Sequence, residues 1–206
     1  TYDAVVSGQG QLKKSGSATL TLDSVNTYTG GTAVTEGILL GKWIGNVSTL
    51  GSGGVTLSSG ATLELDTDGA DETLALHIGG AGGLTKSGDG ELTLSGSNSY
   101  SGGTTIEEGT LRGTTSSIPK TVSFNGGSRL TFGQAFDGTH GGAITGIGAV
   151  HIDSAGFAVT LAGQNSYQLG TFLDAGDLVV TTSSLPVLAG RPFTDSCING
   201  HVDPDA

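Results

Sequence analysis

A chain of 206 residues is long enough for one ordinary domain or for one stretch of a repeat array. It has a formal charge of -11 and only 8 lysines and arginines, which excludes the usual basic nucleic-acid binder and disfavours anionic surfaces. With 38 glycines but only 4 prolines and no Gly-X-Y period it is not collagen, and no apolar run approaches the ~20 residues that span a bilayer. The missing initial Met and signal peptide fit a processed or excised piece. The lone Cys197 excludes an internal disulfide.

Taken in chain order, the predicted elements are short strands. Leu20/Leu22, Leu63/Leu65, Leu92/Leu94, Leu130/Phe132 and Val159/Leu161 alternate with Thr, Glu and Ala, a period of two that turns one face inward and one to water. Each piece runs about four or five residues between Gly, Asn or Ser, and no 11-residue window carries a helical stripe. The chain therefore reads as all-β.

The strands recur as a longer sentence. Leu12–Gly41 and Leu84–Gly113 align at a constant offset of 72, with 16 of 30 positions identical. Each contains Asn-x-Tyr-x-Gly-Gly-Thr: Asn26, Tyr28, Gly30, Gly31 and Thr32 in the first, Asn98, Tyr100, Gly102, Gly103 and Thr104 in the second. Downstream the offset falls to 67, so the first copy carries five extra residues within Trp43–Ser52. A worn third copy keeps Asn165 and Tyr167 and replaces the Gly-Gly pair by Leu169-Gly170. Residues 1–180 thus divide into repeats at about 8–79, 80–145 and 146–180, and a tail at 181–206 leaves the pattern.

A period near 70 suits about three coils of a parallel β-helix better than a propeller blade of about 40–50 residues. At about 23 residues per coil and ~4.8 Å per coil, the chain makes roughly nine coils and a rod of about 40 Å. Gly-Gly-Thr is expected to turn the chain between coils. The tyrosines are expected to pack at an equivalent corner and the asparagines to bond turn backbone. A repeated Asn/Tyr ledge for sugars is the functional alternative.

The segment Leu84–Gly113 resembles the autotransporter-associated β-strand repeat, also called the passenger-associated transport repeat, of Gram-negative autotransporters. The resemblance rests on Leu84, Lys86, Gly88, Gly90, Leu92-Thr93-Leu94, Gly96, Asn98, Tyr100, Gly102-Gly103-Thr104, Gly109 and Leu111. The first copy matches at Leu12, Lys14, Gly16, Leu20-Thr21-Leu22, Asn26, Tyr28, Gly30-Gly31-Thr32, Gly37 and Leu39, and departs at Ala18 and Ser24. The resemblance implies a right-handed parallel β-helix passenger, exported to the cell surface or secreted, akin to AIDA-type adhesins. It also implies self-association or a host-surface or matrix ligand as partner, and a C-terminal outer-membrane barrel. No series of about ten-residue alternating segments marks such a barrel in this chain.

Candidate sites are few. Asp66, Asp68, Asp71 and Glu72 surround Gly69 and could hold Ca²⁺, although the EF-hand spacing is incomplete. Glu107-Glu108, with Glu36 matching Glu108, is expected within a strand. Its side chains would then face opposite ways, which suits paired-carboxylate catalysis poorly. His77, His140, His151 and His201 are expected at the surface or in turns, and no Gly-Asp-Ser-Gly motif supplies a nucleophile. Cys197, His201, Asp203 and Asp205 do not make a structural zinc set. Trp43, in the inserted segment, is a contact candidate if exposed and corner packing if not.

The expectation is a structural, non-catalytic segment without a cofactor, working through extended Thr/Ser/Asn faces. A β-helical polysaccharide lyase or glycosidase is the alternative, hard to build with so few basic residues. An ice-binding face would need Thr rows, of which Thr19-Leu20-Thr21 is the one instance, with no matching row in later coils.

Overall fold

The structure, a computed structural model, describes residues 1–180. They form a parallel β-solenoid of about 9 turns, without a helix among the described residues. The readings of Cys197, His201, Asp203 and Asp205 lie outside the described residues.

Each coil crosses three faces in the order A, B, C. Face A carries Ser7–Gly8, Thr27–Tyr28, Glu72–Leu74, Glu91–Leu94 and Thr110–Gly113, continued by 128–132, 148–152 and 171–173. Face B carries Leu12–Lys14, Thr32–Val34, Val55–Leu57 and Ile78–Gly80, and later Gly138–His140, 159–161 and 178–180. Face C carries Thr19–Thr21, Ile38–Gly41, Thr62–Asp66, Gly83–Ser87 and Thr104–Ile106, then 122–124, 144–146 and 166–167. Some strands are longer than four or five residues because they bend through a corner without breaking. Ile144–Leu161 runs 18 residues across all three faces.

In-register parallel pairing stacks like on like. Leu39, Leu63 and Leu84 form one inward column that continues through Thr104, Val122 and Ile144. Leu92, Leu111, Leu130 and Val150 form another, and all four are fully buried. Each such side chain contributes about 1.5–3 kcal/mol by leaving water.

The repeat does not contain a whole number of coils. From Leu12 on face B, the ladder passes Thr32 and Val55 to Ile78, three coils on. The sequence equivalent, Leu84, lies one face further, on face C. There it pairs backward with Leu63 and forward with Thr104. A column begun by the first copy's second strand, Thr19–Thr21, is therefore continued by the second copy's first strand, Gly83–Ser87. Each copy spans three and one-third coils, and Tyr28, Tyr100 and Tyr167 lie on faces A, B and C respectively. The expectation of an equivalent corner holds locally and fails globally.

Candidate functional site

The repeated Asn and Tyr are internal fasteners. Asn26 Oδ1 accepts from Val6 N at 2.7 Å, one coil below, while its Nδ2 donates to Thr49 O at 2.7 Å, one coil above. Asn98 does the same with Ile78 N at 2.9 Å and Ser117 O at 2.8 Å, and Asn165 Oδ1 accepts from Ile144 N at 2.8 Å. One buried amide thus ties three successive coils, rather than only its own turn. Tyr28 and Tyr100 are fully buried, and each hydroxyl sits 2.7 Å from the hydroxyl of Thr32 or Thr104. Tyr167 is paired with Thr171 in the same way. The sugar-binding ledge is overturned, because these side chains are buried and their copies face three different directions.

Gly-Gly-Thr turns the chain between faces of one coil, not between coils. Gly31 and Gly103 take φ of 82° and 84°, the left-handed region where a side chain is disfavoured.

Two lysines were missed as core residues. Lys86 is fully buried and stands in the inward column between Leu65 and Ile106. Its Nζ donates to Gly88 O at 2.6 Å, Ser87 O at 3.0 Å and Glu108 O at 3.2 Å. Lys14 repeats this with Gly16 O at 2.6 Å and Glu36 O at 2.8 Å. Burial pulls the Lys86 pKa down to about 8, against Asp66, Asp89 and Glu108, which raise it. The ammonium gathers corner carbonyls that no strand can pair. Its recurrence at one repeat position was the available signal.

Glu36 and Glu108 therefore serve through their carbonyls. Glu107 and Glu108 lie in the turn after Thr104–Ile106, not in a strand as expected. Of the proposed calcium ligands, Asp66 Oδ1 accepts from Asp68 N at 2.9 Å and Asp71 Oδ1 from Glu91 N at 2.9 Å. Glu72 is buried in Glu72–Leu74, which raises its pKa, with Asp71 adding to the effect. No three acidic or histidine side chains converge as a metal site among the described residues.

Of the described histidines, His140 departs from the surface or turn position expected, whereas His77 and His151 keep to it. His140 is 2% exposed, packs 5.3 Å from the Phe132 ring and has no partner for Nε2. Burial lowers its pKa to about 4. His151 stacks on Phe172 at 4.6 Å and sets Nδ1 2.7 Å from Asp174 Oδ2. His77 is exposed and bonds Ser97 O.

Four of the five extra residues fall in one loop, and the fifth lies between Thr49 and Val55. In both copies a hydroxyl closes the loop after a strand: Thr49 Oγ1 accepts from Lys42 N at 2.9 Å, and Ser117 Oγ from Thr114 N at 2.7 Å. The first loop is four residues longer and folds as a hairpin, with Trp43–Ile44 antiparallel to Val47–Ser48. Gly45 and Asn46 at its tip have φ of 53° and 63°, the pair of positive values a two-residue hairpin demands. Trp43 is half-buried against the core, while Ile44 and Val47 point outward at 46% and 49% exposure. An open cleft of about 440 Å³ lies beside the hairpin, with Val25, Leu50, Leu74 and Leu76 among its lining.

Face C also carries what the sequence reading missed. Thr85, Thr105, Ser123, Thr145 and Ser166 stack outward in register over five coils, a column separate from Thr19-Leu20-Thr21, which no later Thr-x-Thr row continues. It is a single column, whereas an ice-binding plane needs paired Thr rows.

The passenger-associated-transport-repeat family model matches residues 12–40 and 84–112, the two clear copies. The chain therefore carries two passenger-associated transport repeats. The chain is 37% identical over 142 residues to the adhesin BmaC autotransporter of Brucella suis biovar 1 (strain 1330). That alignment covers 62% of the chain and 4% of the relative, so the chain spans a small fraction of the relative's length. No solved structure matches.

Proposed function

We propose that this segment is a rigid, non-catalytic stalk of a passenger displayed on or secreted from a Gram-negative cell, supporting adhesion or self-association. Its repeats at about 8–79, 80–145 and 146–180 act as structural units, and they assist folding and export ahead of an outer-membrane barrel elsewhere in the protein. One observation carries the reading: the repeated residues are buried fasteners, while the outward face offers a five-coil row of uncharged hydroxyls. A catalytic groove would instead bring titratable groups together on that surface. The adhesin relative supports the same class of function.

The test is deletion of residues 8–180 from the full-length passenger. Surface exposure and cell clumping are measured separately. Intact display with lost clumping supports an adhesive role; collapse of display assigns the repeats to folding and export. Intact display with undiminished clumping removes the proposal.

A further inference from the structure

The inserted hairpin sets protruding apolar side chains next to an apolar hollow. Ile44 and Val47 flank the turn at the tip, and Val47 also lines the hollow. Val25, Leu50, Leu74 and Leu76 contribute apolar surface to the hollow, and Thr27 and Thr73 contribute hydroxyls. No charged side chain lines the cleft, although the chain carries a net -11. At the hairpin base Lys42 and Asp23, of opposite charge, lie 3.8 Å apart as a partly exposed ion pair outside the cleft.

The two copies supply an internal comparison. The second copy keeps the hydroxyl latch and the asparagine tie at Ser117, yet has four residues fewer and no hairpin. Its nearest apolar side chain, Ile118, is fully buried. The fold does not need the hairpin, so its apolar tip answers to something outside the coil.

We infer that the occupant of the cleft is the hairpin of a second copy of this chain, in a two-fold, reciprocal exchange. This deepens the proposed function, on whose self-association branch it rests. A two-fold interface requires one patch that is complementary to itself, and a knob beside a hole meets that requirement. Charge points the same way. Two molecules of like charge repel everywhere except where neither presents charge, and this window is uncharged. An extended groove for a basic or acidic ligand would carry the opposite sign.

Eight residues from each side bury well under the about 1,200 Å² of a stable interface, so the pair is weak and transient. Many copies on facing cells convert such contacts into firm attachment by multivalency.

The test is sedimentation velocity of the whole chain from about 10 µM to about 1 mM, a range that spans weak association. At the upper end the mean sedimentation coefficient rises towards a dimer. It rises further at about 0.5 M NaCl than at about 0.05 M, because salt screens the repulsion. Ile44→Asp with Val47→Asp remains monomeric throughout. So does a second variant, in which Lys42–Thr49 is replaced by the sequence of Thr114–Ser117; its latch is retained, which guards against misfolding. A wild-type chain that stays monomeric at every concentration and salt overturns the inference. Dimerisation of both variants like wild type also overturns it, by placing the contact elsewhere. Clumping that depends on residues 8–180 while the purified chain stays monomeric leaves the adhesive reading standing and removes only this one.

Discussion

His140→Leu probes the core of the seventh coil. His140 pairs with Leu161 as Leu74 pairs with Leu94, so a leucine already fills the matching position of the first copy. The imidazole is almost wholly buried, with Nε2 unpartnered and a backbone hydrogen bond to Ile118. At pH 7 the substitution removes an unsatisfied nitrogen, a gain of about 1–3 kcal/mol, and strands one backbone group, a loss of similar size. The net change there is small. Acid separates the two proteins. The folded pKa is lowered from 6.5 to about 4 by burial, so between those values the unfolded chain binds the proton and the folded chain does not. Stability therefore falls as pH drops through that window. The gap amounts to about 3 kcal/mol at about 1.36 kcal/mol per pH unit. Urea unfolding of both proteins, followed by circular dichroism from pH 7.5 to pH 4, measures it. The advantage of the leucine variant grows by about 3 kcal/mol on acidification. A difference that stays flat over this range refutes the buried, neutral assignment.

Asn98→Ala removes the tie between Ile78 N and Ser117 O and costs about 2–4 kcal/mol in urea unfolding, while Ser99→Ala on the outer surface stays within about 0.5 kcal/mol. Lys86→Met fits the column but abandons three carbonyls; it lowers stability by about 2–4 kcal/mol at pH 7, and Lys13→Met, exposed on face B, does not. The wild-type chain also gains stability as pH rises from about 8 to 10.5, because unfolded Lys86 still holds its proton there, and Lys86→Met loses that slope. Leu111→Ala opens a cavity in a fully buried column and costs about 2–5 kcal/mol by the same measurement.

The parallel solenoid was legible because pairing in register forces inward residues of successive coils to agree, and period-two leucines separated by glycines record that agreement. The insertion was legible too, as a change of offset from 72 to 67 within Trp43–Ser52. Its hairpin was not, since Gly45-Asn46 reverses the usual turn dipeptide and the flanking strands hold two residues each. Composition misplaced Lys86 and His140, because polar residues are normally outside and only the third dimension shows three carbonyls around one and a leucine's place under the other. The hydroxyl row escaped notice because its members, from Thr85 to Ser166, come from five separate coils spaced 18–22 residues apart.

The fractional coil count bears on how such a rod can grow. Adding one more copy does not lay a new unit squarely on the last; it hands every strand to the neighbouring side of the triangle. A duplication of this kind succeeds only if the three sides are interchangeable inside, so selection on any inward leucine is selection for all three sides at once. Outside, the effect is opposite. A loop carried by consecutive copies advances by a third of a revolution each time, and returns to its first bearing after three copies, about ten coils or about 48 Å. Such a filament has no front or back: lengthening it adds barbs in every direction.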